Sequence, residues 1–527
     1  MNACLIWRRA GSNGILWSVV VFLLVSLYLV LRVPGADFLL TSNDQGYQMA
    51  LGMAVAKGQL PGFDFITQYG PAVAFASYLG FVATGNVAGE ILISILGYAA
   101  AIIIAASIVR RSVGSIVAIL TILAFLLWFP RFYKWYYSLF PITQLLVAQY
   151  YFRSRIVNRR SMALLIGWSQ IVGFAALFRY DLGLEGAVFG GVAILTACRV
   201  AGDSWRHAAR HVCVFVCMSA FLPAAYIAAI AEVRGMHRLH MFLRSVYDGA
   251  ADTVDFYRIA PFQFDHTRIL STANALAAIQ IVVPVVCLSG CFCGLRALRA
   301  GSPAAVARGF SLFCTSLVGI GVFPQALHRA DLQHLLQVWY PFIMTLGLGL
   351  GYSIEALKVK IGIGQISGAA ALAGIVSAMV ALLPGSAIDL GPVLRNPIAR
   401  WNTVIHLPSS RPDNPTADMA TALLRLTPPE SRVFLVMVPT DMPMLFFAQR
   451  SQAGIFPVYE AGMFSANFWV RENLKVLDAA PPDYLVVLRT SGDASLPVPV
   501  ALWDEWRAKY TVKIYENERY ALLAKAE

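Results

Sequence analysis

Long apolar runs separated by short basic loops fill the chain up to about residue 384. Because a helix needs about 20 apolar residues to cross the roughly 30 Å hydrocarbon core of a bilayer, each long run is a candidate membrane span. Beyond residue 384 proline, aspartate, arginine and asparagine become common, and no further run of that length occurs. The pattern therefore predicts a membrane domain over residues 1–384 and a water-soluble domain over residues 385–527.

Loop charge orients these spans, because lysine and arginine concentrate in cytoplasmic loops. The run at 72–85 has only 14 residues, and counting it as a span would place Arg110 and Arg111 outside. We therefore interpret it as a helix lying in the membrane interface. Eleven spans then satisfy nearly every basic loop and leave the C-terminal domain outside. The predicted spans are Gly14–Leu31, Glu90–Val109, Val113–Phe129, Trp135–Phe152, Met162–Phe178, Leu182–Val200, His211–Ala231, Ala273–Cys293, Phe310–Leu327, Leu335–Ile354 and Ile361–Leu383.

Composition supports an α-helical polytopic membrane protein. Of the 527 residues, 58% are hydrophobic and 13% are charged. The net charge of +12 comes from the short loops between spans, which argues against nucleic-acid binding. All eight cysteines precede residue 315, so the C-terminal domain holds no disulfide. Cys287, Cys291 and Cys293 cluster without a nearby histidine, which favours packing over metal binding.

The C-terminal domain alternates strand-like and helix-like segments. Strands are predicted at 432–438, 455–459 and 483–489, and amphipathic helices at 467–480 and 500–510. The last segment is predicted to be a hairpin that turns near Asn517. This predicts a small α/β domain without a phosphate loop or nucleophile elbow. Acceptor binding, covering the membrane site and structural support all remain open as its role.

The predicted topology collects ionisable groups on the outer face. Asp44, Asp64, the triplet 179–181, the loop 232–268 and the segment 328–334 all end there. Ionisable groups beside membrane spans are costly and usually functional. The alternative is that they solvate loops or neutralise one another within a segment, as an arginine and an aspartate do in "RYD" and "HRAD".

A transferase at the outer face has no nucleoside triphosphate, and a sugar linked to polyprenyl phosphate is a natural donor there. Transfer needs a carboxylate base, cations for the departing phosphate and a groove for the lipid. The candidates are Asp44 and Asp64 as carboxylates; Arg179, Arg244, Arg258, His328 and Arg329 as phosphate ligands; and Tyr47, Tyr69, Tyr180, Asp181, Asp331 and His334 as substrate contacts.

These residues also have simpler interpretations. Asp44 suits the N-cap of a short helix that starts there, and Asp64 suits a turn after Pro61 and Gly62. The arginines and aromatic residues of loop 232–268 have the composition of an interfacial aromatic belt. The residues alone leave both interpretations open.

The order of short motifs resembles the bacterial glycosyltransferases of the GT-C superfamily. An acid follows the first span, and "KGQLPGFDF" and "QYGPA" come next. The family-39-like group, with the protein O-mannosyltransferases and the lipid A aminoarabinose transferase, shows an Asp, then G-x-x-P-x-x-D and Y-G-P or K-P-P. The matching positions here are Gly58, Pro61, Asp64, Tyr69, Gly70 and Pro71. "FRYDLGL" and "HRADLQHLLQ" resemble later outer-face elements of this group.

The resemblance implies that Asp44 is the general base of an inverting transfer from a polyprenyl-phosphate sugar to an envelope glycan, lipid or protein. The expected location is the inner (plasma) membrane, with multiple spans and an extracytoplasmic C-terminal domain. Gln45 stands where many relatives carry a second acid. We therefore expect no cofactor and no metal, since one carboxylate with neutral neighbours holds a divalent ion poorly. The alternatives are a transporter or flippase, a polysaccharide polymerase or ligase, and an inactive relative.

Overall fold

The computed structural model describes residues 11–32, 43–67, 69–127, 134–157, 161–256, 272–299, 302–328, 339–352, 396–406, 414–436, 442–456, 467–489 and 508–526. The chain forms two compact units. We call the first the helical unit; it comprises Met1–Leu29, Ile95–Pro223 and Ile259–Leu390. The second, the mixed unit, comprises Val30–Ser94, Ala224–Arg258 and Gly391–Glu527. The domain boundary predicted at residue 384 lies outside the described residues.

The helices have well-defined bounds over these ranges. In chain order they are α1 (Gly11–Arg32), α2 (Asn43–Ala56), α3 (Pro71–Thr84), α4 (Val87–Val113), α5 (Ser115–Leu127), α6 (Trp135–Val157), α7 (Met162–Phe178), α8 (Tyr180–Val200), α9 (Trp205–Phe256), α10 (Thr272–Ala297), α11 (Pro303–His328), α12 (Pro397–Ile405), α13 (Pro415–Leu426), α14 (Pro443–Ala448) and α15 (Asn467–Ala479). Residues 339–352 are also helical.

Five described helices are long and apolar enough to cross a membrane: α4, α8, α10, α11 and the first part of α9. The apolar helices α3, α5 and α7 are shorter, as is the stretch Trp17–Leu31 within α1. Helix α3 has 14 residues and so spans about 21 Å, which suits the non-spanning helix predicted there. The eleventh predicted span, at 361–383, lies outside the described residues. Helix α9 is interrupted at Gly235, whose φ of 78° suits glycine.

Close helix packing builds the core of the helical unit. Phe152 and Phe310 stack with ring centroids 4.1 Å apart, joining α6 to α11. Nearby, Gln149 Nε2 donates to Ser311 Oγ at 2.7 Å. The aromatic ring of Phe215 packs against the backbone of Gly190, where a Cβ would collide with it. At Gly173 of α7 a Cβ would lie 2.7 Å from the carbonyl oxygen of Ser219 in α9, so here a small residue lets two backbones approach, as expected for helices in a membrane.

A five-stranded sheet lies in the mixed unit. Its strands are β1 (Arg432–Val436), β2 (Ser451–Gln452), β3 (Tyr484–Leu488), β4 (Val512–Glu516) and β5 (Tyr520–Ala524). The order is β2-β1-β3-β5-β4; β1 pairs in parallel with β2 and β3, whereas β5 is antiparallel to β3 and β4. Helix α13 is capped by Asn414, whose side chain accepts from two amide groups of the first turn.

The predicted α/β character is correct, but one strand is misplaced. The expected strand at 455–459 is absent from its described part, residues 455–456, and the edge strand is Ser451–Gln452 instead. The closing hairpin is confirmed, and the side chain of Asn517 accepts from two amide groups inside its turn. Most of the helix predicted at 500–510 lies outside the described residues.

Candidate active site

Helix α2 carries Asp44 as its second residue. The side chain of Asp44 lies outside the described part of the structure, so its roles as base or cap stay predictions. From Gln45 to Val55 every residue is buried. A short helix was expected here, and the structure adds that protein surrounds it on all sides. The backbone that carries Asp44 is therefore held by its neighbours.

Two predicted substrate residues meet beside α2. The rings of Tyr47 and Tyr69 lie 5.7 Å apart, and both side chains are buried. Tyr47 Oη donates to Thr67 Oγ1 at 2.9 Å, and the same oxygen accepts from the Tyr69 amide at 3.1 Å. Thr67 thus links the helix to the loop that follows it. Sugar binding by the two tyrosines stays a prediction.

Glu90 begins one of the predicted spans, and in the structure it is a buried acid in the first turn of α4. Its Oε1 accepts from Gln45 Nε2 at 3.2 Å, and its Oε2 accepts from Ser77 Oγ at 2.6 Å. It therefore joins α4 to α2 and α3. An acid in the first turn of an apolar span was the available signal, because buried acids need partners. Gln45 stands where the GT-C resemblance leads one to expect a second acid, and its side chain donates to this carboxyl group instead.

The loop between α2 and α3 is held through Asp64. Its Oδ2 accepts from the Leu60 amide at 2.8 Å, and its Oδ1 pairs with Arg234 of α9. Arg238 donates to the carbonyls of Phe63 and Asp64 at 3.0 and 3.1 Å. These contacts suit the turn predicted for Asp64, and they show that its carboxylate braces the loop by tying it to α9. A role in acceptor positioning stays a prediction.

Arg244 lies in an aromatic and acidic cluster. Its Nε is 3.1 Å from Asp248 Oδ2, and its guanidinium carbon lies 3.8 Å from the Phe468 ring centroid. Trp469 Nε1 donates to the same oxygen of Asp248 at 3.0 Å. The predicted phosphate ligand is therefore already paired with an acid. This cluster ties α9 to α15.

The triplet 179–181 lies in the helical unit, where Arg179 separates α7 from α8 and the other two residues begin α8. Arg179 makes a bidentate pair with Asp181, with Nε to Oδ1 at 2.9 Å and Nη2 to Oδ2 at 2.7 Å. Its guanidinium carbon lies 5.1 Å from the centroid of the Tyr137 ring. The side chains of the pair are about one-third exposed. Tyr180 begins α8 beside them, and substrate contacts by the triplet stay predictions.

The remaining predicted site residues are Arg258, His328, Arg329, Asp331 and His334. Arg258, Arg329, Asp331 and His334 lie outside the described residues, as does the side chain of His328. Among the residues that are described, no three histidine, cysteine, aspartate or glutamate side chains are grouped so that they could hold a metal ion.

No protein-family model matches the chain, and no curated protein matches its sequence. Solved structures do match. ArnT from Cupriavidus metallidurans in the apo state has a TM-score of 0.52 and 16% identity, covering 98% of this chain and 99% of ArnT. The same enzyme bound to undecaprenyl phosphate gives a TM-score of 0.53, 15% identity and the same coverage.

The Archaeoglobus fulgidus oligosaccharyltransferase, tethered to an acceptor peptide containing an NVT sequon, is also similar. Its TM-score is 0.50 at 14% identity, over 97% of this chain and 74% of that chain. Both proteins are GT-C enzymes, and at such low identity the likeness shows the fold. The chain therefore shares its fold with these two enzymes, which agrees with the GT-C resemblance of its motif order.

Proposed function

We propose that this protein is a glycosyltransferase that moves a sugar from a polyprenyl-phosphate donor to an envelope acceptor at the outer face of the membrane. The observation that carries this proposal is the end-to-end likeness to ArnT, a structure of which holds undecaprenyl phosphate. The likeness covers nearly the whole of both chains, including the soluble C-terminal part. An inner-membrane location with an extracytoplasmic C-terminal domain is part of the proposal.

In the proposed reaction, an acceptor hydroxyl or amine attacks the anomeric carbon of the donor sugar. The bond from that carbon to the phosphate oxygen breaks, and polyprenyl phosphate leaves with the electron pair. The acceptor proton passes to the carboxylate of Asp44. General-base catalysis of this kind contributes about 10²–10⁴-fold. Burial of α2 supports this role, because a base must be held in one place to act efficiently.

The departing phosphate needs cationic partners, and the sequence offers five candidates. Arg179 and Arg244 each pair with an aspartate, so a phosphate would have to displace a carboxylate. We propose that the phosphate ligands are among Arg179, Arg244, Arg258, His328 and Arg329. Guanidinium groups bind phosphate oxygens in a bidentate manner, which also orients the leaving group.

The test is transfer by purified protein from defined polyprenyl-phosphate sugars, comparing wild type with Asp44→Asn. We expect the variant to lose at least about a hundredfold in kcat. Asp478→Asn is the matched control, because Asp478 is an exposed acid of α15 paired with Lys509, and it should transfer at the wild-type rate.

Two outcomes would contradict the proposal at different levels. Undiminished transfer by Asp44→Asn would remove Asp44 as the base but leave the activity standing. No transfer by wild type with any donor, together with demonstrated movement of the lipid across the bilayer, would favour the flippase. Formation of long glycan chains from a single donor would favour the polymerase or ligase.

A further inference from the structure

The C-terminal segment of the mixed unit forms direct hydrogen bonds with the first loop. The amide of Ile66 donates to the carbonyl of Ile455 at 2.7 Å. Gln59 Nε2 donates to the carbonyl of Gln452 at 3.0 Å, and Lys57 Nζ donates to the carbonyl of Pro429 at 3.1 Å. Ile66 also belongs to the hydrophobic core of the sheet. The loop that contains Asp64 is thus anchored on the C-terminal segment.

Helix α2 itself packs against α14 with no space between them. A Cβ added at Gly46 would lie 2.5 Å from Pro443 Cδ and closer still to Cγ. A proline ring cannot turn aside as a flexible side chain can. Six residues further along α2, a Cβ at Gly52 would lie 2.7 Å from Ser77 Cβ of α3. The helix is therefore fixed between α14 and α3.

We propose that Pro443 and helix α14 are positioning elements of the transfer reaction, because they set the location of the helix that carries Asp44. This inference rests on the proposed function. Asp44 is two residues from Gly46 on a buried helix, so a displacement of α2 at Gly46 moves the proposed base with it. A misplacement of about 1 Å at a reacting group can cost about a hundredfold in rate.

The kinetic test introduces a steric clash between position 46 and the Pro443 ring and then removes it by a second substitution. In Gly46→Ala the new methyl group meets the proline ring and displaces α2, so kcat should fall about 10- to 100-fold while the donor KM changes little. In Gly46→Ala/Pro443→Ala the ring is absent, and kcat should return close to that of Pro443→Ala alone. A lower kcat at unchanged KM, measured at a temperature where every variant is fully folded and reversed in the double variant, distinguishes positioning from general destabilisation.

Two alanine variants serve as matched controls. Gly52→Ala displaces α2 from the α3 side, and Pro443→Ala should not rescue it. Gly167→Ala, on α7, should have the wild-type rate, because no described atom beyond its own stretch of helix lies within 4 Å of a Cβ there. Rescue of Gly46→Ala but not of Gly52→Ala would assign the effect to the contact with Pro443.

A cross-link tests the contact independently of activity. The Cβ of a residue at position 46 would lie 3.3 Å from that of Pro443, close to the spacing of about 3.5–4.5 Å in disulfides. In Gly46→Cys/Pro443→Cys we expect a disulfide-linked peptide pair after mild oxidation, and full transfer activity in the linked protein. The single variants should give no such pair.

The outcomes separate the two proposals. Gly46→Ala at the wild-type rate, or a double variant no faster than Gly46→Ala, would overturn the positioning inference even if the transferase reaction is real. Failure of the cross-link to form would overturn it as well. Absence of transfer by wild type would refute the proposed function, and the cross-link would still decide whether α14 holds α2.

Discussion

Replacing Asp64 with asparagine distinguishes loop bracing from a direct part in the reaction. The Leu60 amide lies 2.8 Å from Asp64 Oδ2, and an asparagine carbonyl oxygen can accept the same hydrogen bond. The ion pair with Arg234 is lost. Since the Arg234 side chain is 48% exposed and that of Asp64 is 26% exposed, the pair contributes at most about 1 kcal/mol.

A change of about 1 kcal/mol corresponds to about a fivefold change in an equilibrium constant or a rate. If Asp64 only braces the loop, Asp64→Asn should therefore keep kcat within about fivefold of wild type. If its carboxylate orients the acceptor or takes its proton, the loss should reach about 10²–10⁴-fold. The assay is transfer from a saturating donor, alongside the thermal unfolding midpoint of the same preparation.

A double variant sharpens this test. Arg234→Met removes the same ion pair by changing the other partner. The kcat of Asp64→Asn/Arg234→Met should therefore be no lower than that of either single variant. Asp478→Asn controls for the change from acid to amide. The bracing interpretation would be refuted if kcat of Asp64→Asn fell more than about a hundredfold at an unchanged unfolding midpoint. The kcat of Arg234→Met would have to stay near that of wild type in the same experiment.

Two further predictions concern stability. Arg450 is buried and donates to five carbonyl groups at the C-terminal ends of α13 and α14. Arg450→Met should therefore lower the free energy of unfolding by about 3 kcal/mol, whereas the same change at the exposed Arg425 should not. An unchanged denaturant midpoint in Arg450→Met would contradict this. Glu90→Ala leaves Gln45 Nε2 buried without its acceptor and should lower the free energy of unfolding by about 1–3 kcal/mol. The measurement is the thermal unfolding midpoint, with the same change at the exposed Glu518 as the control. Equal midpoints for the two variants would contradict this prediction.

The sequence located helices well where a long apolar run decides the structure. The span predicted at Met162–Phe178 coincides with α7, and the short run at 72–85 is α3, one residue away at each end. The hairpin was predictable because Asn517 lies between two strand-like segments of matched length. In each case the signal lies within about 20 consecutive residues, so no knowledge of distant contacts was needed.

Features that depend on distant partners were not predictable. Glu90 reaches Gln45, 45 positions earlier, and Asp64 pairs with Arg234, 170 positions later. The edge strand at Ser451–Gln452 is polar and has only two residues, so its pairing with β1 decides its conformation rather than its own propensity. The apolar segment 455–459 had the stronger strand pattern, yet Ile455 contacts Ile66 of the first loop.

The bond between Gln59 and Gln452 joins positions that are 393 residues apart. At about 5–20 residues per second, a ribosome needs about 20–80 s to make the second partner after the first. Throughout that interval the helix bearing Asp44 has been synthesised without the surface that later buries it. In the nascent chain this helix therefore lacks its contact with α14 until translation has passed Pro443.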